Sequence, residues 1–253
     1  MKMKAYRNMT DIHSHIIPGV DDGASDLHES LEMLKLAESR GTGHIVCTPH
    51  LYHPAKSSPP AAVLSAFGKL RQAARDNVIG VKLSLGCELY LTESGAERVE
   101  AEMKNGGIFT LNSSSYLLAE LDVRVPEREA LRLLDKLSSL GVAPVLAHPE
   151  RYRFVIEDNS AMKRIREKGV LLQVNKDSLR GFFGRGSAEA AWYALSHRYA
   201  HVTASDAHSP YERNTSLRGV HELLCEELDP DYADVLLVHN PRLITENKRV
   251  CTP

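Results

Sequence analysis

Seven times along the chain a short apolar run gives way to a stretch with helical spacing. That alternation limits the fold more than any other feature of the sequence. The apolar runs are residues 10–17, 44–48, 81–88, 116–121, 144–147, 170–174 and 201–204. Helices are predicted from about residue 26 to a stop at Gly41, and then over 61–76, 96–104, 126–140, 160–168 and 188–198. Another is predicted over 217–227, with a last helix and a closing segment within 231–247. Ser25 is placed to cap the first helix, and Asp26, Glu29 and Glu32 favour its opening turns. Pro126 starts a helix and Gly141 ends it. Short apolar strands joined by helices imply a parallel sheet with right-handed crossovers. Seven strands are many for a small open sheet, so the expected α/β architecture is a closed barrel, whose chemistry gathers at the C-terminal ends of its strands.

The polar residues fall at those ends. His13 and His15, His50, Glu88, Glu120, His148, Asp206 and His208 all lie at or just beyond an apolar run. In Asp11-Ile12-His13-Ser14-His15 the two imidazoles are one residue apart, which on a strand points both to one side. Ser205-Asp206-Ala207-His208 repeats that spacing with a carboxylate and an imidazole. A lone histidine at a strand end is more often structural than a ligand. His28, His44, His53, His197, His201, His221 and His239 are accordingly read as surface or packing residues. The other five share one topological position with several carboxylates, a donor set that suits first-row divalent metals. Such a site supports metal-assisted hydrolysis, with Glu88 placed to bridge two ions. Arg151, three residues after His148, and Arg213, five after His208, are candidates for binding a phosphate as planar, bidentate donors. Each is also readable as an ordinary surface arginine.

Several chemistries are excluded. Six residues beyond Cys47, Cys87 and Cys225 stand His53, Glu93 and Asp231, so no Cys-x5-Arg phosphate loop is present. Cys87, next to Glu88, should face the opposite side of its strand and pack. Neither a G-x-S-x-G elbow nor a P-loop occurs. The formal net charge of −2 advertises neither nucleic acid nor an anionic membrane as partner. No apolar run approaches the ~20 residues of a spanning helix, and Met1-Lys2-Met3-Lys4 does not lead into a signal-type apolar core. Four scattered cysteines suit a reducing cytoplasm. Membrane contact is expected only through a partner. The Gly181–Gly186 stretch reads as a loop with some mobility.

Together these residues resemble a known family. Asp-Ile-His-Ser-His, Val-Asp-Asp-Gly at 20–23, Thr-Pro-His at 48–50, Gly-Cys-Glu-Leu-Tyr at 86–90, Ala-His-Pro-Glu-Arg-Tyr at 147–152 and Ser-Asp-Ala-His at 205–208 resemble the polymerase-and-histidinol-phosphatase (PHP) superfamily. Within it, Ile-Pro-Gly-Val-Asp-Asp-Gly and His-Pro-Glu-Arg-Tyr resemble the manganese-dependent bacterial protein-tyrosine phosphatases of the CpsB/CapC/YwqE type. The likeness runs from Asp11 to about Ile244 and takes in Asn240-Pro241-Arg242. It implies a distorted (β/α)7 barrel and a single domain over residues 1–253 with its core at about 10–245. It also implies two or three divalent ions, usually manganese, with iron, zinc, magnesium or cobalt as substitutes. By this resemblance His13, His15, Glu88 and Asp206 hold one ion. His50 and His148 hold a second that Glu88 bridges, and Asp22, Glu120 and His208 serve a third. Arg151 and Arg213 bind phosphate, Asp11 orients a ligand histidine, and His208 or His50 donates a proton if one is needed. The implied substrate is the phosphotyrosine tail of a bacterial tyrosine autokinase that drives capsule or exopolysaccharide synthesis. The implied chemistry is direct attack of an activated water on phosphorus, with no phosphoenzyme. Self-association is a further implication. Two alternatives keep the barrel: a small-molecule phosphoesterase acting on histidinol phosphate or a nucleotide, and a non-catalytic regulatory subunit.

Overall fold

The computed structural model describes residues 8–251. The Met1-Lys2-Met3-Lys4 segment lies outside them. In chain order the elements are β1 Met9–Asp11, α1 Leu27–Ser39, β2 Thr42–Cys47, β3 His50–Leu51, α2 Pro60–Asp76, β4 Lys82–Leu85, β5 Glu88–Tyr90, α3 Ala96–Lys104, β6 Tyr116–Glu120 and α4 Glu127–Ser139. They continue with β7 Ala143–Ala147, α5 Arg153–Glu157, α6 Ala161–Glu167, β8 Leu171–Asn175, α7 Arg185–Ser196, β9 Val202–Ala204, α8 Arg218–Glu227, α9 Pro230–Asp234 and α10 Asn240–Thr245.

Every strand pairing is parallel. The hydrogen-bonded orders are β1-β2-β4 and β3-β5-β6-β7-β8-β9. β2 and β3 follow each other along one stave, interrupted at Thr48-Pro49, where proline lacks the N–H a ladder needs. β4 and β5 likewise share a stave, interrupted at Gly86-Cys87, so the continuous strand expected over 81–88 is split. A Cβ on Gly86 would sit 3.0 Å from Leu111 and 3.1 Å from Val46, which leaves little room for a side chain at this break. The first and last of the seven staves meet through a parallel bridge between Ser14 and Ala207. His15 N–H donates to the Ala207 carbonyl (2.9 Å) and Asp206 N–H to the His13 carbonyl (2.9 Å). The ring is therefore closed, a distorted (β/α)7 barrel. The distortion is concentrated at the first stave, where regular strand covers only Met9–Asp11 of the expected 10–17.

Apolar residues fill the inside of the barrel below the polar rim. Ile12, Val46, Leu118, Val145, Ala147, Val202 and Ala204 form one buried cluster. The alternating partners Leu117, Ala119, Leu146 and Leu172 face outward into a larger cluster with Leu133, Leu134, Ile165, Ala191 and Leu195 of the surrounding helices. Cys87 lies in that outer cluster, and burial pushes its thiol up to about 12. α1 and α2 cover the β2 side through Met33, Leu34, Phe67 and Leu70. Two local expectations differ from the structure. Asp26, not Ser25, caps α1: its carboxylate accepts from Glu29 N–H (2.9 Å), while Ser25 donates its hydroxyl and amide to the Glu29 carboxylate (2.8 Å each). The tail is helical from Pro230 to Thr245 with a π turn at Val235–His239, rather than one helix and a closing segment.

Candidate metal centre

Along three staves the inward-facing period of two carries the chain from apolar interior to polar rim. Leu118 leads to Glu120, Leu171 to Gln173 and Asn175, and Ala204 to Asp206. At two strand ends the backbone turns left-handed, with φ 35° at His148 and φ 48° at Asp206. Such conformations cost on the order of 1–3 kcal/mol each in a non-glycine residue and collect where a side chain must be aimed. Gly23 meets a tighter demand. A Cβ there would lie 1.9 Å from the His15 carbonyl oxygen, so only glycine lets the 19–24 loop fold back on this histidine.

His13, His15, Glu88, His148 and Asp206 are at most 2% exposed, and His50 and Glu120 only slightly more. Three rings have one nitrogen held by an acceptor. His13 Nδ1 donates to Gln173 Oε1 (2.7 Å), His15 Nδ1 to Asp21 Oδ2 (2.8 Å) and His208 Nδ1 to the Asp206 carbonyl (2.9 Å). Carbonyl and carboxylate oxygens only accept, so these bonds place a proton on Nδ1 and leave Nε2 facing inward as the nitrogen free to bind an ion. Holding the far nitrogen in this way is how a protein orients a histidine toward a metal. His13 Nε2 and His15 Nε2 are 3.2 Å apart. Two lone pairs at that separation repel unless a cation or a proton lies between them. Glu88 and Asp206 oxygens lie 3.3–3.4 Å from both nitrogens.

The remaining ligand-type atoms extend this group. His148 Nε2 is 3.0 Å from Glu88 Oε1, and His50 Nδ1 is 2.9 Å from Glu88 Oε2. Glu120 lies with these two, 3.5 Å from His50 and 3.7 Å from His148, rather than with Asp22 and His208. Asp22 Oδ1 is 3.3 Å from His50 Nε2 and 3.4 Å from His208 Nε2, and its other oxygen pairs with Lys56 at 2.5 Å. Four sets of donor atoms, each within 4.8 Å of one another, are able to hold an ion: His13, His15 and Glu88; His13, His148 and Asp206; His50, Glu88 and Glu120; and His15, Asp22, His50 and His208.

The electrostatics point the same way. Burial alone would raise the Glu88 carboxyl, but the His13 and His50 charges outweigh it and hold Glu88 well below the usual range. Burial would lower His50, yet Glu88 lifts it to about 9. Burial and the Glu88 charge push Glu120 up to about 7. Without divalent charge the cluster keeps protons on imidazoles and on one carboxyl. Glu120 Oε2 and His148 Nδ1 are buried without a hydrogen-bond partner. Cations at the centre would displace those protons and satisfy the carboxylate oxygens, so the residues present fit divalent metal.

Arg151 and Arg213 both reach Asp206 Oδ2, at 3.5 and 2.7 Å, and both guanidinium groups lie over the Phe183 ring, at 4.4 and 5.6 Å from its centroid. Phe183 comes from the glycine-containing stretch expected to be a plain loop, which folds as a tight turn leading into α7. Sequence reasoning missed the supports. Gln173, besides holding His13, donates to Asn175 Oδ1 (2.8 Å), and Asn175 donates to Asp206 Oδ2 (2.6 Å). Buried Glu150 accepts from Asn175 N–H (3.0 Å) and the Ser178 hydroxyl (2.6 Å). Two polar residues at alternate positions of the apolar run Leu-Leu-Gln-Val-Asn were the available signal. Asp11 makes no hydrogen bond to an imidazole among the described residues. Its carboxylate accepts from the backbone N–H of His13 and Ser205 and ties the first stave to the last. The bonded Nδ1 of His208 makes its Nε2 an acceptor, which suits a ligand and not a proton donor.

Fold and site together define a closed (β/α) barrel whose strand ends carry a cluster able to hold divalent ions. The same fold occurs in a variant of the organophosphorus hydrolase from Deinococcus radiodurans, with a TM-score of 0.57 at 15% identity over 95% of this chain and 94% of that one. The chain belongs to the family described as capsular polysaccharide synthesis, CpsB/CapC, which matches residues 9–246. It is 31% identical over 242 residues to the tyrosine-protein phosphatase YwqE of Bacillus subtilis, covering 96% of this chain and 93% of that one. It is 30% identical over 241 residues to the tyrosine-protein phosphatase CpsB of Streptococcus pneumoniae, covering 93% and 98%. A crystal structure from work on YwqE and CpsB, described as unique metal-dependent tyrosine phosphatases, superposes with a TM-score of 0.88 at 31% identity over 97% of both chains.

Proposed function

We propose that this chain is a metal-dependent protein-tyrosine phosphatase that acts on the phosphotyrosine tail of a bacterial tyrosine autokinase and thereby regulates capsule or exopolysaccharide synthesis. The observation that carries the reading is the convergence of inward-facing imidazole lone pairs and buried carboxylates beside two arginines. It occurs in a chain similar over nearly its whole length to proteins named tyrosine-protein phosphatases. Manganese is the proposed ion on the strength of the resemblance to the manganese-dependent phosphatases, since mixed imidazole and carboxylate donors accept several first-row divalent ions. A cytoplasmic location is proposed too. Four free cysteines fit a reducing compartment, and among the described residues no helix is long and apolar enough to cross a membrane.

His13, His15, Glu88 and Asp206 would hold one ion. His50, His148 and Glu120 would hold a second across Glu88, and Asp22 and His208 would serve a third. When bound, such ions lower the pKa of water toward neutrality and neutralise phosphoryl oxygens as Lewis acids. Arg151 and Arg213, held over the Phe183 face, bind the equatorial oxygens of the phosphoryl group. Gln173, Asn175 and Asp21 keep the ligand side chains at fixed tautomer and angle. A water oxygen bonds to phosphorus as the bond to the tyrosyl oxygen breaks. The departing phenol has a pKa near ~10, so no strong proton donor is required, in keeping with the bonded state of His208.

The test is phosphate release from a phosphotyrosine peptide after chelation and after readdition of manganese, iron, zinc, magnesium or cobalt. His13→Ala and Arg151→Ala are run beside wild type, with histidinol phosphate as the rival substrate. Metal-dependent release from the peptide, lost in both variants, is expected. Turnover of histidinol phosphate alone would overturn the substrate.

A further inference from the structure

A cavity of about 300 Å³ opens beside the metal cluster, lined by Lys176, Arg180, Phe182, Tyr211, Glu212 and Arg213 among others. Arg213 belongs to both places, since it also binds Asp206 at 2.7 Å. The cavity's other cations differ in their pairing. Lys176 Nζ is matched by Asp177 at 2.8 Å. Arg180 has a backbone carbonyl, Gly219 O at 3.2 Å, and among the described residues no carboxylate within ion-pair distance. A Cβ at position 219 would lie 2.9 Å from Arg180 Nη2, so glycine there lets the guanidinium rest against the start of α8. Phe182 and Tyr211 are 53% and 82% exposed, large rings left in water at the mouth of a charged recess. Exposed aromatics around an unmatched arginine are the composition of a peptide-binding surface.

We propose that this cavity is a specificity subsite for a carboxylate side chain flanking the phosphotyrosine of the peptide substrate, with Arg180 as its recognition group. The proposal rests on the phosphatase reading above and names what that reading leaves open, the sequence preference. A phosphoryl group beside Arg151 and Arg213 puts the neighbouring residues of an extended peptide, spaced ~3.8 Å apart, next to this recess. The planar fork of Arg180 matches a carboxylate with two parallel hydrogen bonds. Phe182 and Tyr211, which line the same cavity, offer apolar surface to the methylene groups of the bound side chain. Glu212 and Asp177, which also line the cavity, oppose the incoming charge and limit the gain, Asp177 less so because Lys176 pairs with it.

The experiment compares two phosphotyrosine peptides, one with aspartate and glutamate beside the phosphotyrosine and one with alanine and glutamine, together with p-nitrophenyl phosphate, which has no flanks. Wild type with manganese is expected to favour the acidic peptide about five- to tenfold in kcat/KM, through KM, and less in high salt. Arg180→Ala should abolish the preference and leave p-nitrophenyl phosphate turnover unchanged. Glu212→Gln should widen it. Equal wild-type rates on the two peptides, or a preference retained in Arg180→Ala, would overturn the subsite. Failure to hydrolyse any of the three would instead overturn the phosphatase reading. Affinity for the same two peptides carrying a non-hydrolysable phosphonate then decides the subsite alone, with no Arg180-dependent difference refuting it.

Discussion

Gln173 is the residue through which the site is most open to test without touching a candidate ligand. Its carbonyl accepts from His13 Nδ1–H and its amide donates to Asn175 Oδ1, so Gln173→Met leaves two buried polar groups unpaired at nearly unchanged volume. Each orphaned group costs about 1–3 kcal/mol, so the metal-free variant should lose roughly 1–5 kcal/mol of stability after a gain of about 1 kcal/mol from burying methionine. His13 is then free to rotate or change tautomer, and loss of such a support typically weakens metal binding 10–100-fold. The two effects separate by linkage. At a manganese concentration 100 times the wild-type dissociation constant, the metal stabilises wild type by about 2.7 kcal/mol. A variant binding 30-fold more weakly gains only about 0.9 kcal/mol under the same conditions. Denaturant unfolding with chelator and with manganese, plus calorimetric titration of the metal, gives both numbers. Manganese affinity within twofold of wild type would refute the claim that Gln173 fixes the inward lone pair of His13.

Other perturbations follow from the same geometry. Gly23→Ala forces its methyl into the His15 carbonyl, and should lower the melting temperature and abolish manganese binding in calorimetry; wild-type binding would show that the 19–24 loop does not hold His15. Phe183→Ala removes the ring over which Arg151 and Arg213 lie, at about 0.5–2 kcal/mol for such contacts, and should reduce kcat/KM on phosphotyrosine peptide roughly three- to thirtyfold with metal affinity unchanged. Burial holds His44 and His201 at about 4, below the ordinary value of an unfolded histidine. Their contribution is therefore complete above pH 6.5 and declines as pH falls toward 4, because only the unfolded chain takes up the protons. In chelator, stability of wild type should drop by up to ~1.4 kcal/mol per pH unit for each of the two over this window, and His44→Gln should flatten the slope; an unchanged slope would show that His44 titrates normally.

Much of this protein follows from its order of residues. Seven apolar runs of strand length, each followed by a helical pattern, leave a closed parallel barrel as the compact solution, because only closure pairs all the staves while helices cover their outer faces. The ligand-type residues were legible for a related reason: His13, Glu88, Glu120, His148 and Asp206 stand where apolar periodicity ends, and strand ends point to one rim. Tertiary structure decided how those residues combine. Glu120 groups with His50 and His148 because β3, β5, β6 and β7 follow one another in the sheet, a neighbour relation that no local pattern encodes. The closure of the first stave on the last brought Asp11 to the backbone of Ser205, 194 positions away, rather than to an imidazole. Gln173 found His13 across 160 positions, and Phe183 slid beneath two arginines from different loops. Periodicity along a chain reports which way a side chain points. Which partner waits there depends on the register of strands distant in sequence, and that is set by packing the whole barrel at once.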